Sequence, residues 1–324
     1  VDWVSPPYDD ILKKAKSENK HIFIDFYTTW CGPCKRLDAV TYQDAAVTSY
    51  LNSIVPVKYD AEKDEGEVLA NKFKIHNYPT LVLLDPSGKE VDRFVGYLDP
   101  EDFLQTIEGY QKGIGTVSFY EEALRKNPND IETMYELGMK HADAARPDEA
   151  KRLLEKIVEI DPDYEKKARI WSRLGYVMYS DDRYDDALGY YNTLIKEFPD
   201  TKDHDEALQM LAYVYYKMDR KKDSLASYKK YLDRHPDDPG VMNGFAWFCA
   251  KRQFGFDDAL PVALKAADLS GRDSGILDTL AELYYAMGDQ GNAIKIGEEA
   301  LSKDPEDQYL KDQLAKFRSA AEGT

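Results

Sequence analysis

Cysteine is scarce in this chain: 324 residues contain three, Cys31, Cys34 and Cys249. Three thiols cannot build the disulfide framework of a small secreted domain, so they amount to one close pair and a singleton. Long apolar runs are missing as well. None approaches the roughly 18–20 residues needed to cross a bilayer, and no membrane insertion is expected. No basic-then-apolar leader opens the sequence, which reads either as a chain without one or as a processed form. Basic residues are few beside acidic ones, 43 Lys and Arg against 60 Asp and Glu, for a net charge of −17. The excess of acid is shared between the two halves of the chain and reads as a solvated surface. It disfavours nucleic acid and anionic membranes as partners, because both call for a basic face.

What is present suits a soluble protein of about two domains, with 43% hydrophobic and 32% charged residues. The chain has two textures. Up to about residue 110, strand-like and helix-like segments alternate. "HIFIDFY" (21–27), "IVPVKYD" (54–60) and "TLVLLD" (80–85) are apolar runs of strand length, and "EVDRFVG" (90–96) alternates apolar with polar. The turn Asp85-Pro86-Ser87-Gly88 predicts a hairpin between the last two. Helices are expected over 8–17, 33–51, 65–74 and 100–110, giving an α/β layer arrangement.

From Thr116 onward the strand signals stop. Turns such as "RKNPND", "EIDPDY", "KEFPDT", "DRHPDD" and "SKDPED" carry Pro128, Pro162, Pro199, Pro236 and Pro305, spaced 34, 37, 37 and 69 residues apart. A period near 34–37, with one proline missing from the last interval, marks a stacked helical repeat. The glycine-rich "GYQKGIGT" (109–116) is the expected joint, dividing the chain into domains 1–112 and 113–324.

The pair Cys31-x-x-Cys34 lies after the first strand and opens a helix. Unpaired N–H groups and the dipole at a helix amino end favour thiolate over thiol. Cys31 is therefore expected to attack disulfides, and Cys34 to resolve the mixed disulfide that results. Pro33 suits a first helical turn, where no N–H is needed. Structural zinc would require four ligands, and neither His21 nor His76 lies at a finger spacing. His76 reads as a rim or surface residue, and Cys249, beside Trp247 and Phe248, as a buried and unreactive thiol.

Residues 3–110 resemble the thioredoxin family. The run Trp30-Cys31-Gly32-Pro33-Cys34-Lys35 matches that family's active site residue for residue, and "KIHNYPTLVLLDPSGKEVDRFVGY" continues the likeness. The resemblance implies a thioredoxin fold and thiol–disulfide exchange with no cofactor. It implies that Asp25 is a buried proton relay, that Lys58 pairs with it, and that Pro79 is a cis-proline facing the cysteines. Trp30, Gly32, Pro33, Tyr78, Pro79 and Gly96 would form the substrate contact. Gly32-Pro33 matches the reducing members. Tyr78 departs from the family, which usually has an aliphatic residue there. The stretch "RLDAVTYQDAAVTSYLNS" (36–53) is more similar to thioredoxin-like domains of bacterial envelope proteins. With the start of the chain read as trimmed, this gives a periplasmic or envelope location as the expectation and a cytoplasmic one as the alternative.

The repeats align as Met134-x2-Leu137-Gly138 with Ala150, Trp171-x2-Leu174-Gly175 with Ala187, Leu208-x2-Leu211-Ala212, Met242-x2-Phe245-Ala246 with Ala259, and Leu277-x2-Leu280-Ala281 with Ala293. The fourth has one extra residue in its internal turn and Gly271 in place of proline. These five units resemble tetratricopeptide repeats, preceded by an opening helix (116–128) and followed by a closing one (305–323). No single unit buries its own apolar face, so the array is expected to stack with a concave side. The resemblance places Tyr135, Tyr176, Tyr179, Tyr213, Tyr216, Trp247 and Tyr285 along that side, either as a groove for extended peptide or as packing between helices. The lysine–asparagine set that clamps acidic carboxy termini in some relatives is not apparent. Two functions stay open. One is a disulfide reductase supplied with electrons by a redox partner, whose repeats recruit disulfide-containing proteins. The other is a repeat scaffold carrying a redox-sensing or docking module.

Overall fold

A computed structural model describes residues 1–4 and 6–322. The expected closing helix therefore has one residue, Gly323, outside the described residues. Contacts divide the chain into two compact units, residues 1–203 and residues 204 onward.

The first unit begins with an α/β layer. Strands β1 (Ile22–Tyr27), β2 (Val55–Asp60), β3 (Thr80–Leu84) and β4 (Glu90–Val95) form a sheet in the order β2-β1-β3-β4. The β1–β2 pair is parallel; β1–β3 and the hairpin β3–β4 are antiparallel. Successive side chains of a strand point to opposite faces. Ile22, Ile24 and Phe26 accordingly pack with α1 (Tyr8–Glu18) and α4 (Asp64–Lys72). Phe23 packs on the other face with α2 (Gly32–Ala39), α3 (Ala45–Ser53) and α5 (Pro100–Gln111). Both faces being covered explains why β1 reads as an almost continuous apolar run. The one interruption, Asp25, lies on the Phe23 face.

The helix expected over 33–51 is two helices. The chain leaves α2 at Val40, makes a 3-10 turn over Thr41–Gln43, and restarts at Asp44, whose carboxylate accepts from the Ala46 and Val47 N–H groups. Thr41 donates its hydroxyl to the Leu98 carbonyl, 2.6 Å. Asp44 is an N-cap residue in its usual role, and it sets the break. Gly66 is fixed by close approach: a Cβ there would lie 2.0 Å from the Asp60 carbonyl oxygen.

The same unit continues with α6 (Val117–Lys126) and two helix pairs, α7 (Ile131–Asp143) with α8 (Pro147–Ile160) and α9 (Lys167–Ser180) with α10 (Tyr184–Glu197). A buried polar knot joins the sheet to these helices. The Asp92 carboxylate, on β4, accepts from Lys140 Nζ at 2.8 Å and from the Val117 N–H at 2.7 Å, while Lys140 also donates to the Tyr110 hydroxyl at 2.9 Å.

The second unit holds α11 (Lys202–Lys217), which starts two residues before it, with α12 (Lys221–Arg234). The pairs α13 (Pro239–Arg252) with α14 (Phe256–Leu269) and α15 (Ser274–Ala286) with α16 (Gln290–Lys303) follow, and then α17 (Gln308–Glu322). Its core is built on Tyr228, Phe245, Phe248, Leu280 and Phe317. Among the described residues, α7 to α16 thus make five successive helix pairs, with α6 before them and α17 after.

Candidate active site

β1 delivers the chain to Thr28, whose carbonyl accepts from the Cys31 N–H. Cys31 is the N-cap of α2, with extended backbone (φ −72°, ψ 109°). Its Sγ accepts the Cys34 N–H at 3.1 Å. A backbone donor and the amino end of a helix thus converge on one sulfur, the arrangement that favours negative charge there. Gly32 and Pro33 make the first turn, where the missing proline N–H is no loss. Cys31 and Cys34 are joined by a disulfide and are only 3% and 2% exposed. Trp30 beside them is 58% exposed.

The second wall is the loop before β3. The Tyr78-Pro79 peptide bond is cis, the Pro79 carbonyl accepts from the Gly96 N–H at 2.9 Å, and the Asn77 carbonyl accepts from the Thr80 hydroxyl at 2.7 Å. Gly96 has φ +105°, a conformation open to glycine, and a Cβ there would meet nothing within 4 Å. The Trp30 ring meets Tyr78 edge to face at 5.9 Å. Its indole N–H donates to the Glu62 carboxylate at 3.0 Å.

Asp25 is fully buried. Strand register puts it opposite Lys58 on β2 and Leu81 on β3. Its Oδ2 accepts from the Tyr42 hydroxyl at 3.0 Å and lies 3.5 Å from Lys58 Nζ, whereas Oδ1 has no hydrogen-bond partner among the described residues. Burial pushes its pKa up to about 6, against the pull of Lys58 and the Tyr42 hydrogen bond. Lys58 also pairs with Asp38, and its ammonium lies over the rings of Tyr27, Tyr42 and Trp3. Tyr42, Asp38 and Glu62 were not singled out from the sequence. Asp38 lies near the end of α2 and Tyr42 just after it, but nothing in the sequence marks either as a partner of Lys58 or Asp25.

The seven ring residues expected along the concave side have different surroundings. Tyr213 packs on Phe248 (4.8 Å), Tyr216 stacks on Phe254 (5.2 Å) and Tyr285 packs on Phe317 (5.3 Å), all against the core of the second unit. Tyr135 meets Tyr164 with Lys166 over its face, Tyr179 meets Tyr184, and Trp247 is half-buried under Lys251. Tyr176 is elsewhere: its hydroxyl donates to the Asn77 side-chain oxygen, one residue before the cis bond. His76 is exposed, and its pKa is lowered by partial desolvation of the ring and then by Lys74 and Arg93. Cys249 is fully buried, and burial raises its thiol pKa to about 12.

A family model for a thioredoxin-like domain matches residues 8–111, and tetratricopeptide repeat models match 115–172 and 176–239. Thioredoxin Y2, chloroplastic, of Arabidopsis thaliana is 37% identical over 102 residues, covering 31% of this chain and 56% of that protein. A protein disulfide-isomerase of Triticum aestivum is 31% identical over 113 residues, covering 34% and 20%. The chain thus spans little more than half of the first of these curated relatives, and a fifth of the second. The solution structure of a candidate disulphide-isomerase from Bacteroides thetaiotaomicron is 40% identical, with 34% of this chain and 92% of that chain covered and a TM-score of 0.32. Residues 8–111 are a thioredoxin-like domain, and tetratricopeptide repeats follow it.

Proposed function

We propose that the chain is a thiol–disulfide oxidoreductase acting on protein disulfides in the reducing direction. The observation that carries this reading is the disulfide between a helix-capping Cys31, whose sulfur accepts the Cys34 N–H, and Cys34 itself. In the dithiol form the Cys31 thiolate attacks one sulfur of a substrate disulfide. The substrate S–S bond breaks and its other sulfur leaves as thiolate. Cys34 then gives its proton to the Asp25 carboxylate and attacks the Cys31 sulfur. The second substrate sulfur leaves, and the enzyme keeps the Cys31–Cys34 disulfide. Two electrons have passed to the substrate, and a dithiol-bearing partner restores the enzyme. The direction rests on the match of Gly32-Pro33 to reducing relatives. Trp30, Tyr78, Pro79 and Gly96 serve as the substrate contact, a reading supported by the Trp30–Tyr78 ring contact and the Gly96–Pro79 hydrogen bond. The repeats recruit the protein that carries the disulfide.

The test is turnover of a model disulfide with a dithiol donor. Wild type is expected to turn over, Cys31→Ser to lose activity altogether, and Cys34→Ser to accumulate mixed disulfides. An inactive wild type, or an active Cys31→Ser variant, overturns the assignment and leaves the repeat scaffold as the better reading.

A further inference from the structure

A cleft of ≈ 260 Å³ lies beside the cis peptide. One wall is His76, Asn77 and Thr80 from the loop that carries Tyr78-Pro79; the other is Tyr176, Asp181 and Asp182 from the end of α9. Asn77 and Thr80 flank the cis dipeptide on either side in sequence, which sets this space next to the loop that carries Tyr78-Pro79. The Tyr176–Asn77 hydrogen bond holds the two walls together.

The charges in the cleft are unequal. Asp143, also in the lining, is taken up by an ion pair with Arg173. Asp182 accepts from the Tyr184 hydroxyl and has no cation paired with it among the ion pairs of the described residues, and Asp181 is exposed. Against these two carboxylates the lining sets one permanent cation, Lys74, and His76, whose pKa is lowered by desolvation and by Lys74 and Arg93. Arg93, nearby, is engaged by Glu90 and the Phe73 carbonyl.

We propose that this cleft is a substrate subsite that accepts a lysine or arginine side chain of the polypeptide carrying the disulfide, a few residues from the attacked cysteine. The proposal rests on the oxidoreductase reading above and deepens it. It makes the second repeat part of the specificity surface: Asp181 and Asp182 bind the cation, and Tyr176 acts as a positioning residue through Asn77. Carboxylates at the mouth of a partly enclosed space discriminate charge more strongly than the same groups on an open surface.

The experiment uses the full chain, a dithiol donor, a small aromatic disulfide and two disulfide-linked peptides that differ only in Lys or Glu three residues from the cysteine. Wild type is expected to show about tenfold higher kcat/KM for the lysine peptide, the difference lying in KM. In Asp181→Asn/Asp182→Asn the lysine-to-glutamate ratio is expected to fall to about twofold or less. Because this ratio is taken within each variant, a general loss of activity does not imitate it. If wild type reduces all three substrates without preferring either peptide, the subsite is overturned while the oxidoreductase reading stands. If wild type reduces none of them, both are overturned. A ratio that survives in the double variant removes Asp181 and Asp182 from the site.

Discussion

Asp25 is a carboxylate with no solvent, one oxygen held by Tyr42 and Lys58, and the other without a partner among the described residues. In the proposed relay, that oxygen takes the proton from Cys34. The raised pKa, about 6 against an ordinary 3.8, has two consequences of known sign. Between pH 3.8 and 6 the folded state binds the extra proton, so this group makes stability fall as pH rises through that window. Its full penalty is present above pH 6. Asp25→Asn is therefore expected to gain about 1–3 kcal/mol at pH 8 and nothing near pH 3.5, measured by urea unfolding at the two pH values. The second consequence is kinetic. In the proposed relay, resolution of the mixed disulfide uses the carboxylate, so its rate in wild type is expected to drop as pH falls through about 6. The Asn variant should be slower throughout and lack that limb, which rapid-quench trapping of the mixed disulfide would reveal. An unchanged pH profile in Asp25→Asn would remove the relay role. This residue was legible because a carboxylate inside "FIDFY" contradicts the run around it. Its hydrogen-bond donor, 17 positions away, was not, since contacts across a sheet layer leave no local pattern.

Two glycines separate packing from propensity at the level of the element. Gly175 sits inside α9, where a Cβ would fall 2.6 to 2.9 Å from three atoms of the buried Tyr191 ring. Gly189 sits inside α10 and is exposed, with nothing within 4 Å of a Cβ. Alanine should help both helices by about 0.5–1 kcal/mol through propensity. At Gly175 the displaced ring opposes that gain with about 1–3 kcal/mol of overpacking. Thermal or urea unfolding should thus show Gly189→Ala stabilised and Gly175→Ala destabilised. Equal gains at both sites would mean that the helices of this pair can separate freely. The sequence shows why Gly175 is small, because the repeat register demands close approach. It does not show how each repeat turns. Ala145, Asp182 and Asp219 end the first helices in the left-handed conformation, where only the last repeat has a glycine, Gly288. Each is followed by an N–H that returns to a carbonyl five residues back, as Arg183 does to Met178 at 2.8 Å. These bonds impose the conformation where composition gives no hint of it. The fourth repeat has two left-handed residues, Gln253 and Gly255, which absorb its extra residue.

For the molecule as a whole, the change of texture near residue 110 marked where strands end and repeats begin, and the proline period marked the repeats. Neither shows that the sheet and the first repeats share a compact unit, because the contacts that join them are polar and far apart in sequence. The Asp92 carboxylate is the hub. It is almost fully buried and receives Lys140 Nζ, the Val117 N–H and the Arg93 N–H, so one side chain ties β4 to α6 and α7. Burying two charges costs desolvation that their attraction only partly returns, but removing one partner leaves the other exposed to the full cost. Lys140→Met is expected to destabilise residues 1–203 by about 2–4 kcal/mol, reduced from the usual range by the two backbone donors that remain to Asp92. Asp92→Asn combined with Lys140→Met removes both charges and should recover most of that loss. Urea unfolding followed by the tryptophans and by far-ultraviolet dichroism distinguishes the outcomes. Coincident transitions that shift together in the single variant mean the sheet and first repeats unfold as one body. A single variant with an unshifted transition would show that the polar knot is incidental, and that the apolar contacts around Tyr110 and Val117 suffice to hold the repeats where Tyr176 can reach the cis-proline loop.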